Sequence, residues 1–126
     1  MSEHDEQAAV VRWFKLQYPK YKDCILAIPN GSIINTGGKG GSKGIGRLKW
    51  LIKEGFKTGV SDLFIAVPRN DFGGLWIEMK DVGKKERSVT KPQMDHLILM
   101  REVGYDAEWC AGFEEAKRVI ETYFQE

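Results

Sequence analysis

The sequence predicts an α/β domain built on a central mixed β-sheet flanked by helices. Three observations carry that reading. Helical and strand-like patterns alternate in the order α-β-α-β-β-α-β-α, with turn chemistry between them. The length, 126 residues, suits one core, so residues 1–126 are expected to form a single domain. An apolar content of 42% is enough to fill that core.

Residues 3–18 are expected to form an amphipathic helix. Val10, Val11, Phe14 and Leu16 recur at helical spacing, and Ser2 is placed to cap the start. Tyr18-Pro19 ends it, because proline disfavours helical geometry in the residue before it. Residues 24–28 form a short apolar strand, broken by Pro29-Asn30-Gly31. Residues 31–46 are a glycine-rich loop that matches neither GxxxxGK[ST] nor GxGxxG, so no nucleotide-binding loop is supported. A helix over about 45–54 carries Leu48, Leu51 and Ile52 and stops at Gly55. Residues 61–67 and 74–81 are the clearest strands, and the turn residues 68–73 make them a hairpin. A helix over 91–103 has Pro92 in its first turn and Gly104 after its end. A last strand at 105–110 and a last helix at 113–124 close the chain.

The composition excludes several classes. No apolar run approaches the ~20 residues of a membrane span. The acidic N-terminus, Met1 to Glu6, has no apolar h-region, so no secretory signal is expected. Cys24 and Cys110 form no CxxC and are expected to be reduced thiols of a cytosolic protein. The formal net charge of +1 hides segregation. Residues 39–57 carry Lys39, Lys43, Arg47, Lys49, Lys53 and Lys57 against Glu54 alone. Residues 80–91 add Lys84, Lys85 and Arg87, whereas 102–126 are strongly acidic. Two basic segments on an acid-tailed domain suit a polyanion, although lysines on a solvated surface are the plainer explanation.

The residues that carry chemistry lie on the hairpin. Glu78 and Lys80 share one face of their strand, while Ile77 and Met79 take the other. An antiparallel hairpin places Asp62 beside positions 78–80. Two carboxylates with a nearby carbonyl, that of Met79, suit magnesium or a similar hard cation. A charged lysine there can orient water or balance charge on a phosphodiester. A surface salt bridge is the commoner meaning of an isolated Asp…Glu-x-Lys. Here the carboxylates end apolar strands and basic segments flank them in sequence. His4 and His96 lack ligand spacing, and His96 is expected on a solvent-facing or partly buried helix side. Trp13, Trp50, Trp76 and Trp109 are expected in core or rim packing, with Trp76 or Phe64 flanking the site.

Gly59-Val60-Ser61-Asp62-Leu63-Phe64-Ile65, followed by Leu75-Trp76-Ile77-Glu78-Met79-Lys80, resembles the PD-(D/E)xK nuclease superfamily. The wider string resembles its VRR-Nuc family, the virus-type replication–repair nucleases. Glu6-Gln7, Ile28-Pro29-Asn30-Gly31, Pro92-Gln93, Gly104-Tyr105 and Glu114-Glu115-Ala116 complete the match. The resemblance implies a restriction-endonuclease-like core and a metal-dependent DNA endonuclease. Carried over, Asp62 and Glu78 would be metal ligands with the Met79 carbonyl, and Lys80 the catalytic lysine. Gln93 would help order the site. Glu6, in preference to Glu3, would be the first-helix acid, serving the metal and catalysis. Its plainer role is an acid complementing the helix dipole. Ser61 departs from the pattern, which usually has proline there.

The stand-alone, virus-type members resemble junction resolvases. That likeness implies a Mg2+- or Mn2+-dependent homodimer cutting Holliday-type four-way junctions in a bacterial or phage-infected cytosol. Lys39, Lys43, Arg47, Lys84 and Lys85 would contact the DNA. The alternatives are a flap, nicking or restriction-like nuclease on the same fold, or an inactive DNA-binding module.

Overall fold

A computed structural model describes residues 2–29 and 42–125, with side chains described at 2–29 and 46–125. Four strands form one mixed sheet in the order β1-β2-β3-β4. They are β1 (Ile25–Ala27), β2 (Leu63–Ile65), β3 (Leu75–Lys80) and β4 (Asp106–Ala111). Strands β1, β2 and β3 are antiparallel neighbours, and β4 joins β3 in parallel. The helices are α1 (Glu3–Gln17), α2 (Ser42–Lys53), α3 (Lys91–Glu102) and α4 (Phe113–Phe124). This is the expected mixed sheet flanked by helices.

The hairpin between β2 and β3 closes through Asn70 and Asp71, both at positive φ (51° and 71°). Two consecutive left-handed residues match the twist of the strands they join. Arg69 and Phe72 exchange backbone hydrogen bonds across the turn, at 3.0 and 2.8 Å. The resulting register sets Leu63 against Ile77 and Phe64 against Trp76. One residue earlier, Asp62 therefore faces Glu78.

Alternation then separates two chemistries. Leu63, Ile65, Leu75, Ile77 and Met79 are fully buried and pack with Val10 and Phe14 of α1 and Ile120 and Tyr123 of α4. The opposite face carries Phe64, Trp76, Glu78 and Lys80. There Phe64 and Trp76 pack at 4.3 Å between ring centroids, and His96 of α3 meets Trp76 edge-on at 4.9 Å. The aromatic layer lies on the same sheet face as Glu78 and Lys80.

Some expectations need correcting. Leu16 is 78% exposed, so the apolar stripe of α1 is Val10 and Phe14 with the buried Glu6. A 3-10 segment, Pro19–Cys24, precedes β1 and has no sequence periodicity to announce it. Helix α2 begins at Ser42, inside the stretch expected as loop. His96 is buried at 5% exposure, not solvent-facing, and Trp50 is exposed instead of packed. The rest of the glycine-rich stretch, residues 30–41, lies outside the described residues, as does Lys39.

Candidate active site

Asp62 sits at the mouth of β2, and its Oδ2 accepts the Met79 N–H at 2.8 Å. That bond fixes one carboxylate oxygen against the backbone of β3. Glu78, 2% exposed, projects beside it, and its Oε1 is buried without a hydrogen-bond partner. Burial first, then the Asp62 charge and hydrogen bond, push the Glu78 carboxyl up to about 9. Near neutral pH the pair, without metal, therefore holds a proton.

Lys80 completes the cluster. Its Nζ lies 3.9 Å from Glu78 Oε2 and donates to Gln93 Oε1 at 2.9 Å. Gln93 is tied down by α3 itself. Its Oε1 also accepts the Thr90 N–H at 2.9 Å, and Thr90 Oγ1 accepts the Gln93 N–H at 3.3 Å. This reciprocal cap is a local device of T-x-x-Q sequences. The helix that caps itself thereby delivers an acceptor to the lysine.

Close approach of α3 needs a glycine. Gly59 has φ +84°, and a Cβ there would lie 2.7 Å from Pro92 Cβ and 2.8 Å from the Pro92 carbonyl oxygen. Only glycine tolerates both the conformation and the contact.

Ser61, fully buried, stands just before Asp62. Its Oγ lies 3.0 Å from His96 Nδ1 and its N–H donates to the same nitrogen at 3.3 Å. A backbone N–H can only donate, so Nδ1 accepts and the ring carries its proton on Nε2. Burial, then Lys57, lower the His96 pKa and keep it neutral. Sequence reasoning missed this partner because an isolated histidine at helical spacing carries no signal. The signal available was the serine in place of proline, which supplies a hydroxyl and an N–H.

The first-helix acid is also placed differently. The Glu6 carboxylate is buried and accepts the Phe113 N–H at 2.8 Å, capping the start of α4. Glu3, half-buried, is the acid whose field reaches the cluster. Its pKa is raised by partial burial, then by the Asp62 charge, with Asp81 adding to it and Lys80 opposing. Glu3 sits three residues before Glu6, one helical turn nearer the start of α1. Asp81 has a buried Oδ1 without a partner and was not singled out by the sequence.

Arg47, Lys84 and Lys85 are exposed, and Lys43 falls in α2 with its side chain outside the described residues. Among the described residues, no three His, Cys, Asp or Glu side chains form a ready metal cage, and no helix is long and apolar enough to cross a membrane. Cys24 and Cys110 are free thiols, and burial pushes Cys110 up to about 12.

The four-stranded mixed sheet with an Asp, Glu-x-Lys edge defines the class, a nuclease-type α/β fold. A solved structure described as a VRR_NUC domain protein superposes with a TM-score of 0.78 at 25% identity, covering 98% of this chain and 88% of that one. The chain thus shares the fold of a VRR_NUC domain protein over nearly its whole length, which supports the VRR-Nuc resemblance. No family profile and no curated protein matches its sequence.

Proposed function

We propose that residues 1–126 form one VRR-Nuc-like nuclease domain that acts as a divalent-metal-dependent, structure-selective DNA endonuclease. Holliday-type four-way junctions are its proposed substrate. One observation carries this reading: two buried carboxylates in contact, one with an orphaned oxygen, beside a lysine held by a glutamine.

The donor set fits Mg2+ or Mn2+. Asp62 and Glu78 offer hard oxygens, Glu78 Oε1 lacks any other partner, and the Met79 carbonyl lies between Glu78 and Lys80 in sequence. Magnesium asks for one or two carboxylates and completes its shell with water, so a closed cage is not required. Glu3, in place of Glu6, is the further acid suited to that shell. A bound divalent cation would make water more acidic and stabilise charge on a phosphodiester oxygen.

The chain's own residues do the rest. Gln93 Oε1 takes one N–H of Lys80, which leaves two for the attacking water and a phosphate oxygen. The ammonium balances charge as it develops on the phosphate. The Met79 N–H holds Asp62 in place, and the Phe64–Trp76–His96 layer packs on the sheet face that carries Glu78 and Lys80. The products would be a 5′-phosphate and a 3′-hydroxyl. Lys84 and Lys85, just beyond Lys80, with Lys39, Lys43 and Arg47, would track phosphates without reading sequence. A two-fold homodimer would present symmetric sites to two opposing strands of a junction. The free thiols suit a reducing, cytosolic compartment.

A substrate panel tests the reading: four-way junction, flap, nicked duplex and linear duplex, each with magnesium and with chelator. Preferential, metal-dependent nicking of the junction is expected. Preference for flaps or plain duplex would discard the junction substrate and keep the nuclease. Metal-independent binding without cutting would discard the nuclease.

A further inference from the structure

Helix α2 carries an exposed aromatic ring that the catalytic cluster does not use. Gly46, Lys49, Trp50 and Lys53 recur at i, i+3, i+4 and i+7, so they share one helix face. Together they line an open cleft of about 240 Å³. Trp50 is 66% exposed, which is uncommon for so large an apolar surface. Lys53 Nζ stands 5.2 Å from its ring centroid. One turn earlier Gly46 has no side chain, and a Cβ there would meet nothing within 4 Å, so the cleft is open on that side. The opposite side of the helix holds Leu48 and Leu51, both half-buried, so Trp50 is not the residue that seats α2. No acid occurs between Ser42 and Lys53.

A flat ring set among cations complements a polyanion that also exposes flat rings. We propose that this face binds an unpaired nucleobase of the DNA, stacked on Trp50, with Lys49 and Lys53 on the adjacent phosphates. The proposal rests on the nuclease reading and adds to it a physical source of structure selectivity. Paired bases inside a duplex are already stacked and hide their faces, whereas bases at gaps, flaps and open branch points present them. Stacking tolerates any sequence because every base has a π-face.

The test is equilibrium binding to a labelled duplex and to the same duplex with a short single-stranded gap, in chelator so that nothing is cut. Wild type, Trp50→Phe and Trp50→Ala are compared, with circular dichroism to confirm folding. Wild type should prefer the gapped DNA. Trp50→Ala should lower the gapped-to-paired affinity ratio about tenfold, the scale of one lost base stack, and Trp50→Phe should keep most of it. An unchanged ratio in Trp50→Ala would overturn the proposal and leave the nuclease reading standing. So would an altered oligomeric state with an unchanged ratio, which would assign Trp50 to contacts between copies. No binding of either DNA by wild type would overturn both.

Discussion

Glu78 is the residue on which charge, burial and chemistry meet. Its carboxyl is raised from 4.5 to about 9, so folding favours its protonated form in the absence of metal. That contribution is fully present below the unfolded value and is lost as pH rises through the folded one. In chelator, the melting temperature should therefore fall as pH rises from about 5 to 9. Glu78→Gln should flatten the slope and melt higher than wild type at alkaline pH. A wild-type slope of the opposite sign would contradict the assignment. Metal binding demands deprotonation, so added Mg2+ should release protons and weaken the slope. His96 works in the other direction. Its lowered value means that its contribution is present above the unfolded value and lost on acidification.

The two acids of α1 separate at the same scale. Glu6→Ala should destabilise by about 1–3 kcal/mol, because it strips the part-buried Phe113 N–H of its acceptor. Folded Glu6→Ala protein should still cut. Glu3→Gln should melt like wild type yet lose cleavage, since its charge faces Asp62 and not the α4 cap. Urea melts paired with cleavage rates separate the two, and equal losses in both variants would contradict the division. The spacing of E-H-D-E in the first turn could not make this choice. It depends on which side of α1 meets α4, a tertiary fact.

At the scale of elements, the site depends on how closely α3 approaches the strand mouth. Gly59→Ala forces a side chain against Pro92 at a backbone angle that disfavours it. About 1–3 kcal/mol of destabilisation is expected, with slower cleavage as Gln93 is drawn from Lys80. Gln93→Ala should cost less stability but a similar rate, because it removes the Lys80 acceptor directly. If Gly59→Ala cut at the wild-type rate, the approach of α3 would not matter to the site. Elements with a strong local signature were legible in the sequence. Alternation over Leu75–Lys80 marked β3, and the apolar stripe Ala116, Ile120 and Tyr123 marked α4. Pro19–Cys24 was not legible, because short 3-10 turns kinked at Tyr21 have neither periodicity nor a strand pattern. The start of α2 was hidden by Gly44 and Gly46, poor helix formers that suggest a loop.

For the whole molecule, the hairpin register was the decisive inference. Once Asn70-Asp71 closes the turn, Asp62 must face Glu78, and the carboxylate pair follows from counting along the strands. The residues around the pair, His96 on Ser61, Gln93 on Lys80 and Glu3, arrive from helices whose docking no local pattern encodes. Charge segregation belongs to this scale too. Binding to junction DNA should weaken steeply with salt, and Lys84→Glu with Lys85→Glu should reduce that salt slope. Light scattering should report a dimer if symmetric cleavage depends on two copies, and a monomer that resolves junctions would contradict the two-fold arrangement.

The central claim is that Asp62, Glu78 and Lys80 form one metal-dependent hydrolytic site. Cleavage of a labelled four-way junction by wild type and by Lys80→Ala, each with magnesium and with chelator, tests it most directly. Wild type should nick only with metal, and Lys80→Ala should be slower by roughly 100-fold or more while remaining folded and DNA-bound. Wild-type cleavage by Lys80→Ala, or cutting that survives chelation, would contradict it.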